Sequence, residues 1–305
     1  MDSGGYLTLT FFVISGLVFK YIEPQRYWNW AKIQFERLML PYFSFGILLS
    51  FILFIYTFDW RIFISNILKL IYGGAILKGI FGVFWFITCL LLTRLVFGYI
   101  LKFSRKTQIL IISFSYIISH IISRTSLGDI NFPWNIDVTL FSITYFSIGY
   151  YGKNYIKNMV NDNKYLLFSA IVSIIFIALD YTGYISYVLS LKSGGYYNFV
   201  LDLIIPLSNI ILLCSLCKCI SKFSFSKILS YIGAKTSSIM YLHIPLNTFL
   251  MNFFDYGLVM FELIGIIIPI VLSAIIFERF FITRFLFLGK IPIKKERKTT
   301  PIIVS

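Results

Sequence analysis

Apolar stretches close to membrane-spanning length alternate with short basic loops along almost the whole chain. The apolar runs lie near 6–20, 38–58, 80–101, 107–123, 136–152, 165–182, 197–217, 232–254 and 257–278. A helix that crosses a bilayer needs about 20 mostly apolar residues, within a range of roughly 17–25. The pattern therefore predicts an all-α polytopic membrane bundle of about nine transmembrane helices. Residues 1–280 read as one membrane-embedded domain and 281–305 as a basic cytoplasmic tail. There are no internal repeats, no glycine-rich nucleotide loop and no low-complexity stretch.

Composition narrows the class further. Hydrophobic residues make up 58% of the chain and charged residues only 13%, with a mean hydropathy of +0.84. Soluble domains carry about 25% charged residues, so soluble enzymes, disordered tails and disulfide-rich secreted modules are excluded. The net charge of +14 would point to nucleic acid in a soluble chain. Here the cations fall between apolar runs, where they report topology. Loops within 20–37, 102–106, 153–164 and 218–235, with the tail 279–298, hold 21 of the 27 Lys and Arg. The alternate loops hold five: Arg61, Lys69, Lys78, Arg124 and Lys192. The positive-inside rule then places the C-terminus in the cytoplasm, and nine spans place the N-terminus outside. Residues 1–5 offer nothing to drive export, so the topology predicts a further span ahead of them. The richness in Ile, Phe, Tyr, Lys and Asn fits an AT-rich bacterial genome, and the chain reads as a multi-pass protein of the bacterial inner membrane.

Candidate chemistry is sparse. Cys214, Cys217 and Cys219 cluster at the end of one apolar run, and Cys89 stands alone; no histidine is near enough to complete a zinc set. We read the clustered three as reduced thiols and expect neither a metal nor a bound cofactor. Tyr21–Arg37 interleaves Trp28, Trp30 and Phe35 with Arg26, Lys32 and Arg37, as an interfacial helix does. It reads either as a membrane anchor or as a site for an anionic cytosolic ligand. Ionisable groups inside spans are expensive and tend to mark function; they are Arg94, His120, Asp137, Asp180, Asp202, His243 and Glu262. Asp137, Asp180, Asp202 and His120 lie near span ends and are expected to be solvated. His243 lies mid-run, with Ser237, Ile239 and Met240 on neighbouring faces of a helix. It reads equally as a general base for a hydroxyl nucleophile or as a core histidine bonded to a backbone carbonyl. No Ser–His–Asp nucleophile motif, HExxH or paired carboxylates can be read.

Five segments together resemble one family. FFVISGLVFK (11–20), ERLMLPYF (36–43), GVFWFITCLLL (82–92), INFPWNIDVTLFSITYFSIGYYGKN (130–154) and LSYIGAKTSSIMYLHIPL (229–246) match, in order and spacing, the integral-membrane acyltransferase-3 family. The similarity is to its fucose 4-O-acetylase-like branch and covers nearly all of 6–280. The resemblance implies transfer of an acyl group, usually acetyl, from cytosolic acetyl-CoA to a hydroxyl of a lipid-linked or cell-surface glycan. It also implies site residues. Arg37 matches the second arginine of the family's Arg-x-x-Arg pair; Gln34 stands where the first would be, with Lys32 as a substitute, so donor phosphates would fall to Arg37 and Lys32. Trp85 and Phe86 would line the substrate cavity, with Ser15 and Tyr42 contributing hydrogen bonds, and His243 would act on the acceptor hydroxyl. Trp85 also fits the bland role of an interfacial belt residue. Such proteins usually have ten spans, the first bearing a basic residue and a histidine; neither is found here, in line with the topology argument. Two other readings stay open: a transporter or flippase for lipid-linked sugars, and an inactive truncated homologue.

Overall fold

The computed structural model describes residues 4–185, 187 and 189–290. They form a helical bundle: α1 (Gly4–Leu17), α2 (Tyr27–Thr57), α3 (Trp60–Tyr72), α4 (Trp85–Ile100), α5 (Arg105–Arg124), α6 (Ile136–Tyr151), α7 (Lys153–Asn161), α8 (Asn163–Tyr181), α9 (Leu201–Ile220), α10 (Ser226–Ala234), α11 (Thr236–Leu250), α12 (Leu258–Leu272) and α13 (Phe281–Leu288). A π turn at Ser273–Phe277 extends α12. Among the described residues, extended pairing is limited to one bridge between Ser190 and Gly195.

Each of the nine apolar runs coincides with a helix, but among the described residues six helices are long and apolar enough to cross a membrane: Pro24–Thr57, Gly79–Ile100, Arg105–Arg124, Asn163–Tyr181, Leu201–Ile220 and Leu258–Phe277. The runs at 6–20, 136–152 and 232–254 give the shorter α1, α6 and α11, of 14, 16 and 15 residues. The last run breaks at Lys235, whose side chain is 7% exposed and turns inward to pair with Glu278. The interfacial segment expected over 21–37 is corrected in the other direction. From Tyr27 it is continuous with the following run, giving a 31-residue α2 that carries Pro41 inside it. One proline removes a single backbone donor, and the helix runs on through it.

Small residues set the closest approach. Gly16 of α1 lies against the backbone of Phe146, and Gly149 of α6 lies against the backbone of Val13, so a Cβ at either position would overlap a carbonyl. Such small-residue contacts let helices in lipid gain packing energy without a hydrophobic drive. Around this pair, Phe12, Trp85, Cys89, Phe141 and Tyr145 make one buried cluster. A second cluster lies between α2, α4 and α11, with Tyr42, Phe45, Phe84 and Tyr241 at its centre. In contrast, α8 buries only Ser169 and Ser173 and exposes Leu167, Phe168, Ile171 and Ile174, as a lipid-facing helix would.

The loops at one end are woven together. Lys192 Nζ donates to the carbonyls of Leu77 (2.6 Å) and Gly82 (3.1 Å). Burial, and then the Lys78 charge, hold its ammonium below the usual lysine range. Trp134 and Asn135 both take positive φ, at 56° and 52°. The Trp134 indole donates to Ile71 O at 2.9 Å, and Asn135 Nδ2 donates to Lys192 O at 3.2 Å. Gly73 and Gly74, at φ 65° and 74°, pass directly beneath these two side chains, where left-handed backbone and lack of space both require glycine.

His120 and Asp202, expected at solvated span ends, are 4% and 0% exposed, and Asp137 is 9% exposed. His120 Nδ1 lies 2.9 Å from Tyr116 O and Nε2 lies 3.2 Å from Asp202 Oδ2. Asn198 N–H donates to the same carboxylate oxygen at 2.9 Å. The Tyr145 hydroxyl caps Asp202 O. The pair joins α5 to α9 and is enclosed by Tyr196 and Phe199. Buried charge is tolerated only when paired and hydrogen-bonded, which these contacts provide at Oδ2, while Oδ1 is buried without a partner among the described residues.

The segment assigned to the tail begins as α13, whose Phe287 packs on Phe45 and Phe277. Gly289, at φ 60°, ends that helix against the backbone of Arg37. The rest of the tail, 291–305, lies outside the described residues.

Candidate active site

The α11–α12 pair is built around His243. Asn247, one turn along α11, donates from Nδ2 to His243 O (2.8 Å) and to Phe261 O of α12 (3.0 Å). The Tyr256 hydroxyl in turn donates to Asn247 Oδ1 at 2.9 Å. Opposite them stands Gly265; a Cβ there would come within 3.2 Å of His243 Cβ and 3.1 Å of Asn247 Nδ2. The two helices are therefore close-packed at the level of the imidazole. His243 Nδ1 lies 2.9 Å from Ile239 O and 3.0 Å from Met240 O. Both partners only accept, so Nδ1 carries a proton, and in the neutral imidazole the lone pair is on Nε2. Among the described residues Nε2 has no hydrogen-bond partner.

That imidazole lines a cavity of about 630 Å³ between α1, the start of α4, α11 and α12. Thr8, Phe11, Trp85, Phe86, Met240 and Glu262 are among its walls. Trp85, Phe86 and His243, three residues chosen from sequence, meet here. Phe86 packs edge-on to Phe12 and is tilted against Phe11 (centroids 5.5 and 5.7 Å), which ties α4 to α1. Trp85 is 8% exposed, buried in the bundle rather than in a surface belt, and its indole N–H has no partner among the described residues. Ser15 and Tyr42 stand outside this cavity. Ser15 is half-buried on α1. Tyr42 is fully buried, with its hydroxyl donated to Leu70 O at 2.7 Å, where it fastens α2 to α3. Ser237 is exposed and Thr236 takes the wall position.

Arg37 lines a second, strongly basic pocket of about 460 Å³, with Lys20, Glu23, Arg26, Trp30, Gln34 and Arg94. Lys32 is not part of that lining; its side chain is 78% exposed and stands 4.0 Å from Glu36, one turn along α2. The two sites share α4, which gives Trp85 and Phe86 to one and Arg94 to the other. Phe86 and Arg94 are eight residues apart, about 12 Å at 1.5 Å per residue.

The family model described as an acyltransferase domain matches residues 4–278. The chain belongs to the acyltransferase-3 family. No curated protein and no solved structure matches it. Within this acyltransferase the matched domain contains both cavities and every candidate residue, from Ser15 to His243. The fold accords with such a membrane enzyme, being all-α with six long apolar helices among the described residues. Three residues at these sites were not singled out as site residues from sequence. Arg94 and Glu262 carried a readable signal, as charges within apolar runs. Asn247 carried none, since its role depends on Phe261, 14 residues away across a turn.

Proposed function

We propose that this acyltransferase moves an acetyl group from cytosolic acetyl-CoA to a hydroxyl of a lipid-linked or cell-surface glycan, at a bacterial inner membrane. The observation that carries the reading is His243, held by Nδ1, with Nε2 unpartnered among the described residues, on the wall of a cavity within an acyltransferase domain. A hydroxyl is a weak nucleophile at neutral pH and needs a base within hydrogen-bond reach. In the proposed step Nε2 accepts the acceptor proton as the hydroxyl oxygen attacks the thioester carbonyl. The C–S bond then breaks, and the proton passes to the departing thiolate. Trp85 has an indole N–H to give to a sugar or carbonyl oxygen. Phe11 and Phe86 offer apolar faces to the acyl chain or the sugar ring. Glu262 lies on the same wall system, where it can bond an acceptor hydroxyl.

The donor would approach from the basic pocket. Guanidinium pairs well with phosphate, and Arg37 is placed for that on the pocket wall. The thioester sits at the end of the long flexible arm of coenzyme A, which suits a phosphate site and a reacting centre about 12 Å apart along α4.

The test uses membranes containing this chain, radiolabelled acetyl-CoA and a lipid-linked glycan extract. Label is expected in glycan from the wild-type chain, with His243→Ala close to background. Glycan that changes sidedness without label would replace the enzyme by a transporter.

A further inference from the structure

The basic pocket holds an imbalance that its own residues do not resolve. Four cations line it, Lys20, Arg26, Arg37 and Arg94, against one carboxylate, Glu23. That carboxylate is already engaged, 3.0 Å from Arg26. Neither Arg37 nor Arg94 has an ion pair or a side-chain hydrogen bond among the described residues. Arg94 lies inside the long apolar helix Gly79–Ile100. Its Nε is buried with no partner, and its guanidinium rests 5.9 Å from the Phe19 ring centroid. Arg94 is half-buried, and a charge within an apolar helix with an unpartnered buried nitrogen is costly; a second guanidinium on the same pocket raises that cost. An anion between the two arginines would relieve that cost.

Gln34 occupies the α2 wall of the same pocket, one turn before Arg37. It is 7% exposed, so on these two turns α2 presents one cation, Arg37, and one amide to the pocket. We propose that Arg94 supplies the second cation from α4, so that Arg37 and Arg94 together clamp a phosphate group of the coenzyme A thioester. The inference rests on the donor reading above and deepens it: the phosphate is held between two helices instead of along one. Two guanidinium groups neutralise a phosphate dianion and offer it several N–H donors. Because α4 also presents Phe86 to the reacting cavity, donor capture and the acyl path share one rigid element.

The experiment measures binding of coenzyme A and of 3′-dephospho-coenzyme A to the purified full chain. The protein is held in nanodiscs of phosphatidylcholine, with or without phosphatidylglycerol, and thermal unfolding is followed in parallel. Arg94→Gln is expected to weaken coenzyme A binding by about tenfold or more, the scale of one lost charge-assisted bond. Arg94→Lys should keep part of the affinity, since charge survives and fork geometry does not. Adding Gln34→Arg to Arg94→Gln is expected to restore most of the loss, because it returns a cation to the same pocket. The ratio between the two nucleotides reports whether the clamped group is the 3′-phosphate or the diphosphate. Unchanged affinity in Arg94→Gln, with or without a lower Tm, would make Arg94 a packing residue over Phe19 and overturn the proposal. Should Arg94→Gln not fold, wild-type affinity in Arg94→Lys, with no response to Gln34→Arg, would overturn it equally. Unchanged coenzyme A affinity together with lost phosphatidylglycerol would assign the pair to a lipid headgroup and also overturn it. A wild-type chain that binds neither nucleotide would remove the donor reading itself, an outcome distinct from binding that is indifferent to Arg94.

Discussion

His120 on α5 and His243 on α11 are the two histidines of the chain, and both sit in apolar helices with Nδ1 turned back to a carbonyl of the preceding turn. They part company at Nε2. In His120 it meets Asp202, and four aromatic rings, Tyr116, Phe141, Tyr196 and Phe199, close around the imidazole. In His243 it has no partner among the described residues, and the residue lines a cavity. An imidazole with both nitrogens committed is a strut, because any proton it moves breaks a bond the fold relies on. An imidazole fixed at one nitrogen only is oriented and still free to accept a proton. The same side chain therefore serves structure or chemistry according to what faces its far nitrogen.

The largest effect should come from breaking the strut. His120→Ala leaves the Asp202 carboxylate buried without its partner, and denaturant unfolding should show a loss of about 3–5 kcal/mol. Turnover per folded molecule should hardly change; a selective loss of kcat would erase the distinction drawn here. His243→Ala should do the opposite, lowering kcat by on the order of a hundredfold or more while moving Tm little. Full activity in that variant would return His243 to the class of core histidines. Arg37→Ala sharpens the contrast from the donor side. It removes binding made in ground and transition states alike, so KM for acetyl-CoA should rise by about tenfold with kcat nearly constant. The smallest effect is expected from Asn247→Ala, which frees the carbonyls of His243 and Phe261. About 1–2 kcal/mol of stability should be lost, with a several-fold drop in kcat as the imidazole loses its alignment. A drop in kcat as large as that of His243→Ala would mean that Asn247 itself touches substrate.

The helices were legible because apolar periodicity is a local property, and each of the nine runs has its helix. Their lengths were less so. The break at Lys235 depends on Glu278, 43 residues on, and the unbroken passage from Tyr27 to Thr57 depends on how α2 packs against α4, where Tyr27 donates to Leu95 O at 3.0 Å. The hairpin of α2 and α3 escaped the apolar count because α3 is amphipathic and only 13 residues long. His120 and Asp202 looked solvated because each lies near the end of its run; 82 residues separate them, and burial came from the loop that folds over both. Trp85, Phe86 and His243 were found through short motifs and converge on one cavity, whereas Tyr42 belongs to the same motifs and is spent on Leu70. Motif membership does not tell a wall from a fastening, since both ask for an aromatic with a polar tip.

The crossing of α1 and α6 at Gly16 and Gly149 has a mechanical consequence. At these two points backbone rests on backbone with no side chain to change rotamer, so the pair resists sliding or splaying by small repacking steps. Of the helices that wall the His243 cavity, α1 is thus anchored and α4 is held to it through Phe86. On the opposite wall α11 is held by Tyr241 against Phe45 and Phe84, whereas α12 buries only Gly265 and Pro269 and is joined to α11 through Asn247 and Gly265. If the cavity widens to admit an acceptor, α12 is the wall with the fewest buried side chains to disturb, and the imidazole on α11 keeps its place.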